Sequence, residues 1–346
     1  MGLEQSVRRW TKSRILAVAI NFAATLHIVW FYIYCVPSYM DLPRYEAGKE
    51  RMPFQARFFM QYPLRWAHSS GIFLRIAHLF SYTTTWLPRP TTSEDILQAL
   101  IDIPAVIIAG LVARDLYRRY SRTGLLTPFV YPFTLIMITS SYCLESTAFF
   151  RYIYDLPSLG FFALGLWLIS RKASPILFAA LFVVATLNRE TTIFLLYFFV
   201  ASACVIEDRI VWRRALTFRT LATTTLLALF WAGWRHWIMQ RYAGYPSELH
   251  SYRMPNLGSL LFPLVWPQIA GIAVYTLPFL LLYRRQINQP ELKLWLWSIP
   301  LWAICMFNYG LLVEIRLFGE LIPLLACAAI LLAEHHLNKA ASAATA

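Results

Sequence analysis

The chain has 346 residues, of which 58% are hydrophobic and 14% charged, where soluble globular domains carry roughly 25% charged residues; a mean hydropathy of +0.51 completes the exclusion of an ordinary water-soluble protein. The formal net charge of +13 does not indicate nucleic acid, because no basic run is long and most Lys and Arg stand at the ends of apolar stretches, where they report membrane orientation. Uninterrupted apolar runs such as 15 to 40 and 254 to 283 also exclude a transmembrane β-barrel, whose strands alternate in short segments.

In chain order, MGLEQSVRRWTKSR leads into an apolar run longer than the roughly 7 to 15 residues of a cleavable signal core, so that run is expected to remain as a first span. Gaps between charges predict about ten transmembrane helices, at 15–38, 96–113, 123–144, 156–170, 173–188, 191–206, 220–238, 264–283, 294–312 and 317–333, several of them shorter than the roughly 20 residues of a full crossing. The expected fold class is an all-α integral membrane protein, a single domain over 1–339 with a disordered Ala/Ser tail at 340–346. Residues 41–95 form a long first outer loop. Its second half, FQARFFMQYPLRWAHSSGIFLRIAHLF, interleaves bulky apolar residues with Arg57, Arg65 and Arg75 and reads as one or two helices lying in the membrane interface.

Within 96–113, Asp102 followed by Pro104 marks a candidate kink. The stretch 173–206 would extend about 51 Å as one helix, against a bilayer core of about 30 Å, so Asn188-Arg189-Glu190-Thr191 is expected to break it into a hairpin with a recessed turn. More than half of the 31 Lys and Arg fall in short segments on the side of the two termini, which predicts a multi-pass protein with both termini cytoplasmic, in a bacterial inner membrane. The five cysteines, Cys35, Cys143, Cys204, Cys305 and Cys327, lie in or beside apolar spans without ligand spacing and read as packing residues.

Sorted by side, Asp115, Glu207, Asp208 and Glu291 share inner loops with many cations, whereas Asp41, Glu46, Glu145, Asp155, Glu190, Glu314 and Glu320 gather on the outer side with Arg57, Arg151, Arg189 and Arg316. Acids and arginines at span ends, converging on one leaflet, point to a site for an anionic substrate at the outer surface. Each of these residues also has a plainer role: Asp41 and Asp155 as helix N-caps, Arg189 and Arg316 as partners of Glu314 and Glu190, and Arg57 and Arg65 as arginines reaching for ordinary headgroups. His68, His78, His236 and His250 show no HxxxH or Cys spacing, so no transition-metal site is predicted, and a divalent ion on the outer carboxylates stays open.

Asp41 directly after the first span, PFQARFFMQYPLRW, YDLPSLGFFALGLWLISRK, LNRETTIFLL and EIRLFGELIPLL together resemble the GT-C-type membrane glycosyltransferases, of the small uncharacterised kind. The resemblance covers most of the chain in order, but the first loop has a single Asp rather than an acidic pair. It implies transfer of a sugar from a polyprenyl-phosphate donor to an acceptor hydroxyl of a glycan, lipid or protein at the outer face, with membrane lipids as further partners and no nucleic acid. It makes Asp41 the expected base and Glu46 the reserve, since the acceptor must lose a proton while the phosphate leaves as an anion. Substrate-binding candidates are Arg57, Arg65, Tyr152, Asp155, Arg189, Glu190, Glu314 and Arg316, with the two arginines beside glutamates as phosphate clamps.

Two other classes compete. A polytopic membrane acyltransferase would use Arg14 and His27, although along one helix they stand about 20 Å apart. A transporter or lipid flippase would be expected to show inverted repeats, and the sequence has no such halves.

Overall fold

The computed structural model describes residues 3–83, 87–144, 149–248 and 251–344. The protein is nearly all-α. Sixteen helices form among the described residues: α1 Leu3–Tyr34, α2 Leu42–Glu46, α3 Gln61–Ser69, α4 Gly71–Thr83, α5 Ser93–Tyr120, α6 Thr127–Tyr142, α7 Asp155–Ser170, α8 Pro175–Asn188, α9 Phe194–Ala203, α10 Phe218–Arg241, α11 Arg253–Leu261, α12 Trp266–Ala270, α13 Thr276–Tyr283, α14 Pro290–Leu296, α15 Ser298–Tyr309 and α16 Ile322–Ala344. Short 3-10 turns join several of them, and a two-residue hairpin, Val205–Ile206 with Arg209–Ile210, is the only sheet among the described residues.

Three helices are long and apolar enough to cross a membrane: Arg14–Tyr34, Ser93–Tyr120 and Ile315–Ala343, the last including the 3-10 turn before α16. The Asp102-Pro104 segment does not end its helix, because α5 continues unbroken to Tyr120. Asp102 is buried and accepts from the Gln98 amide one turn earlier at 3.1 Å. A capping box of Thr92 and Asp95 starts α5 before the expected boundary. The segment expected as one span at 264–283 is instead broken between α12 and α13, where Ala273, Val274 and Tyr275 all take left-handed backbone angles. Such angles end a helix because the Cβ crowds the following carbonyl. The tail expected to lack structure is helical through Ala344.

The expected break near Asn188 is present. Arg189 is extended, at φ −157° and ψ 141°, between α8 and a 3-10 turn at Glu190–Ile193. Phe178, early in α8, stacks on Phe199, late in α9, at 5.0 Å, so the two helices fold back on each other. With 14 and 10 residues they reach only about 21 and 15 Å, which keeps their turn inside the bundle: Asn188 and Arg189 are buried.

The core gathers around α7, which packs against α5, α8, α9 and the turn at Ile315–Leu321. Small residues let the backbones meet, as in helix bundles without a water-driven interface. A Cβ on Gly160 would stand 2.8 Å from the Ala105 Cα of α5. Large aromatic rings fill the space between α7, α9 and α15, with Phe194 stacked on Trp302 at 4.3 Å and Phe162 edge-on to Phe198 at 5.7 Å. Apolar side chains such as Leu226 and Leu229 on α10 and Leu261 on α11 stay largely exposed, as expected for a surface facing lipid. All five cysteines are free, and Cys143, Cys204 and Cys327 are buried.

The close crossing of α5 and α7 gives a direct test. Gly160→Ala has nowhere to relax, because its obstacle is backbone, and is expected to cost about 1 to 3 kcal/mol by overpacking. Gly233 in α10 has open space around its Cα, so Gly233→Ala should not lower the melting temperature in detergent. Equal melting of both variants would show that the crossing is not tight.

Candidate functional site

One end of the bundle collects the ends of α1, α7 and α8 and the turn before α16, and each contributes a polar side chain. Asp155 opens α7 and is fully buried. Arg189 leaves α8 and reaches it with Nη1 at 3.4 Å, while the same nitrogen lies 3.2 Å from Glu320 Oε1. Tyr32, near the end of α1, donates to Asp155 Oδ2 at 3.0 Å, and Thr191 donates to Glu320 at 2.8 Å. Asn188 donates to the Tyr154 carbonyl and to Ser158 Oγ at 3.0 and 2.8 Å. A buried cation thus stands between two buried carboxylates, each of which also accepts a hydrogen bond from a hydroxyl, as buried charges need pairing and hydrogen bonding.

Above this network lies a cavity of about 880 Å³. Arg57 is part of its lining, held by both oxygens of Glu190 at 2.9 and 3.2 Å and stacked 4.0 Å over the Tyr154 ring. Arg316 donates to Glu314 Oε2 at 3.1 Å and to the Phe150 carbonyl, and lies over the rings of Phe150 and Tyr152 at 4.1 and 4.4 Å. Tyr39, Phe54, Phe150 and Tyr152 pack ring to ring along one wall. Arg235 from α10 and Arg253 from α11 stand at the cavity's sides.

Arg253 is positioned by a polar anchor. Buried Asn256, one turn later, donates to the carbonyls of Phe307 and Gly310 at 2.9 and 2.7 Å and accepts from Leu312 N–H at 2.8 Å. It therefore ties α11 to the end of α15 and the loop that follows, and Arg253 Nε lies 2.5 Å from Asn308 Oδ1 in the last turn of α15.

The sequence-predicted residues divide among three places. Arg57, Tyr152, Arg189 and Glu314 line the cavity, and Asp155, Glu190 and Arg316 hold its lining from behind. The arginine pairings are structural in kind but differ from those expected: Arg189 meets Asp155 and Glu320, and Arg316 meets its near neighbour Glu314. Asp41 is an exposed N-cap for α2, accepting from Arg44 N–H at 3.1 Å, and lines a different cavity of about 550 Å³ with Arg89, Asp95 and Arg151. Glu46 lies apart from both cavities, near His68 and Glu94, and Arg65 donates to the Glu46 backbone carbonyl at 3.1 Å. Glu145 and His250 lie outside the described residues.

Arg235, Arg253 and Asn256 were not singled out from the sequence. The two arginines are ordinary span-end charges until the fold turns them to one space. His27 is exposed on α1 and stacks on Trp30 at 5.7 Å. Comparison with protein-family models, curated proteins and solved structures gives no match.

The charged triad predicts an asymmetric response. Arg189→Leu leaves Asp155 and Glu320 buried without their cation and should cost about 3 to 5 kcal/mol. Adding Glu320→Gln to that variant removes one orphaned charge and should recover part of the loss in a detergent melt. No recovery would mean that the two side chains do not share the ion pair.

Proposed function

We propose that the chain is a multi-pass membrane glycosyltransferase that moves a sugar from a polyprenyl-phosphate donor to an acceptor hydroxyl at the outer membrane face. In this reading the helical segments cross about ten times, with short and broken helices completing the crossings, the 41–95 loop lies in the interface, and both termini are cytoplasmic in a bacterial inner membrane. The observation that carries the reading is the composition of the 880 Å³ cavity, which combines arginines, an aromatic wall and two carboxylates, Glu248 and Glu314, in one space. Arginines suit a phosphate, flat rings suit the apolar face of a sugar, and Met239, Leu311, Val313 and Leu317 offer an apolar side to a prenyl chain.

The roles follow from position. Arg57 and Arg189 are already engaged by carboxylates, so they set the local potential. Arg235 makes no direct ion pair among the described residues, and together with Arg253 it is the phosphate ligand. Glu314 takes the part first expected of Asp41, because it lines the cavity and Arg316 orients it. In the reaction the acceptor oxygen attacks the anomeric carbon, the bond from that carbon to the phosphate oxygen breaks, the polyprenyl phosphate leaves as an anion, and Glu314 receives the hydroxyl proton. Arg235 and Arg253 stabilise the charge that develops on the leaving phosphate.

Binding of undecaprenyl phosphate to the detergent-purified chain, read by native mass spectrometry, tests the donor. Arg235→Gln and Arg253→Gln should each weaken binding about 10- to 100-fold, the range for a lost charge-assisted hydrogen bond. Glu314→Gln should bind the carrier normally while sugar transfer falls about 10² to 10⁴-fold, and Asp41→Asn should keep full transfer. Absence of carrier binding would remove the glycosyltransferase reading. Full transfer by Glu314→Gln with loss in Asp41→Asn would return the base to Asp41 and move the reaction to the neighbouring cavity.

A further inference from the structure

The histidine spacing in the sequence predicts no metal site, yet folding assembles a ligand set away from the cavity. Glu46 ends α2, His68 stands in the last turn of α3 and Glu94 in the first turn of α5, and one ligand atom from each lies within 4.8 Å of the others. His68 Nδ1 is 2.5 Å from Glu94 Oε1 and 3.8 Å from Glu46 Oε2. Ligands placed about 2.0 to 2.2 Å from a tetrahedral zinc ion stand roughly 3.3 to 3.6 Å from one another. The two separations bracket that value, so small side-chain rotations centre an ion among the three.

The surroundings favour a cation. Arg65, the nearby arginine, donates to the Glu46 backbone carbonyl rather than forming an ion pair with its carboxylate. Ser93 Oγ donates to Glu94 Oε2 at 3.0 Å, which leaves Oε1 directed at His68. The two glutamate side chains are 12% and 14% exposed and that of His68 is 67% exposed, so the set is anchored on the protein side and open to water on the other. Burial and then the Glu94 charge push the Glu46 carboxyl above its ordinary value, and the hydrogen bond and charge of Glu94 push the His68 imidazole up.

We propose that Glu46, His68 and Glu94 bind a divalent cation of the zinc class, with His68 Nδ1 and one oxygen of each glutamate as ligands and water in the fourth position. The ion joins three elements that meet far apart in sequence, holding α2 and α3 to the start of α5. This assignment does not rest on the glycosyltransferase reading.

Zinc binding requires a neutral imidazole and therefore displaces the His68 proton. The charges acting on His68 are Glu94 and Glu46, with Arg65 acting on Glu46.

The test uses the full chain in detergent, stripped with EDTA, titrated with zinc chloride against a chromophoric chelator, and melted with and without zinc. One zinc per chain is expected, with a rise in melting temperature that is larger at about pH 8 than at about pH 6. His68→Ala and Glu94→Gln should each weaken zinc binding about ten-fold or more. Glu46→Gln leaves the His68 and Glu94 contact in place, so it should keep the metal-free melting temperature and lose the zinc-dependent rise, which separates a lost ligand from a misfolded chain. No saturable zinc binding by the unaltered protein, or unchanged affinity in Glu46→Gln and Glu94→Gln, would overturn the assignment.

Discussion

A guanidinium buried in an apolar bundle must be matched where it stands, and Arg189 sets the terms for the end of the molecule that holds the cavity. Its two carboxylates come from different elements, Asp155 from the start of α7 and Glu320 from the turn before α16. Their spare lone pairs draw in Tyr32 from α1 and Thr191 from the turn after Arg189. Four segments are thereby fixed relative to one another by one charge. Ionic groups of this kind are weak contributors to net stability, since well-packed apolar residues often do as well. Their presence in a chain that is otherwise so apolar is the physical reason to look for chemistry at this end, where ionisable groups inside a membrane protein are by default functional.

The opposite end also carries charge, and the contrast is informative. There Glu334 accepts from Tyr117 and Ser121 at 2.7 Å, and exposed Arg171 pairs with Asp115 at 2.5 Å. These contacts close loops between α5, α7 and α16. That end also opens a cavity, of about 790 Å³, but its lining is mainly charged and polar, with Arg119, Arg122, Lys172, Glu207, Asp208 and Glu334 around Tyr120. The other end differs in setting its arginines against a packed aromatic wall and aliphatic side chains, and a ligand-binding site needs that combination of apolar lining and a few convergent polar groups.

Much of this division was legible in the sequence, because charges in an apolar chain are confined to the ends of helices and so carry positional information. The break at Asn188-Arg189 followed from length alone. Two kinds of feature were hidden. Helix continuity at Asp102 depends on burial of its side chain and a bond to Gln98, and the interruption at 271–275 depends on backbone angles that Ala273, Val274 and Tyr275 do not advertise. Convergence was also hidden: Arg235 and Arg253 line one cavity, and Glu46, His68 and Glu94 meet across three helices, with no spacing that a local motif would reveal. Asp41 illustrates the reverse case, in which a residue conspicuous by position serves as an N-cap.

The cavity and the irregular backbone around it belong to one design. Unwound segments are tolerated in an apolar bundle only where protein buries them or where they line a polar space. Arg189 interrupts α8 beneath the cavity, and the loop from Gly310 to Glu314 interrupts the path from α15 to α16 along its wall. The carbonyls released at Phe307 and Gly310 are taken up by Asn256, and the 3-10 turn at Glu190 offers its carbonyl to the Trp231 indole at 2.8 Å. Each break therefore frees a side chain for the cavity, Arg189 in one case and Glu314 in the other, while a side-chain donor elsewhere, half-buried Trp231 or buried Asn256, satisfies the backbone it exposes. Continuous helices through both positions would bury their own backbone more simply, but they would forfeit the extended segments from which those two side chains reach the cavity.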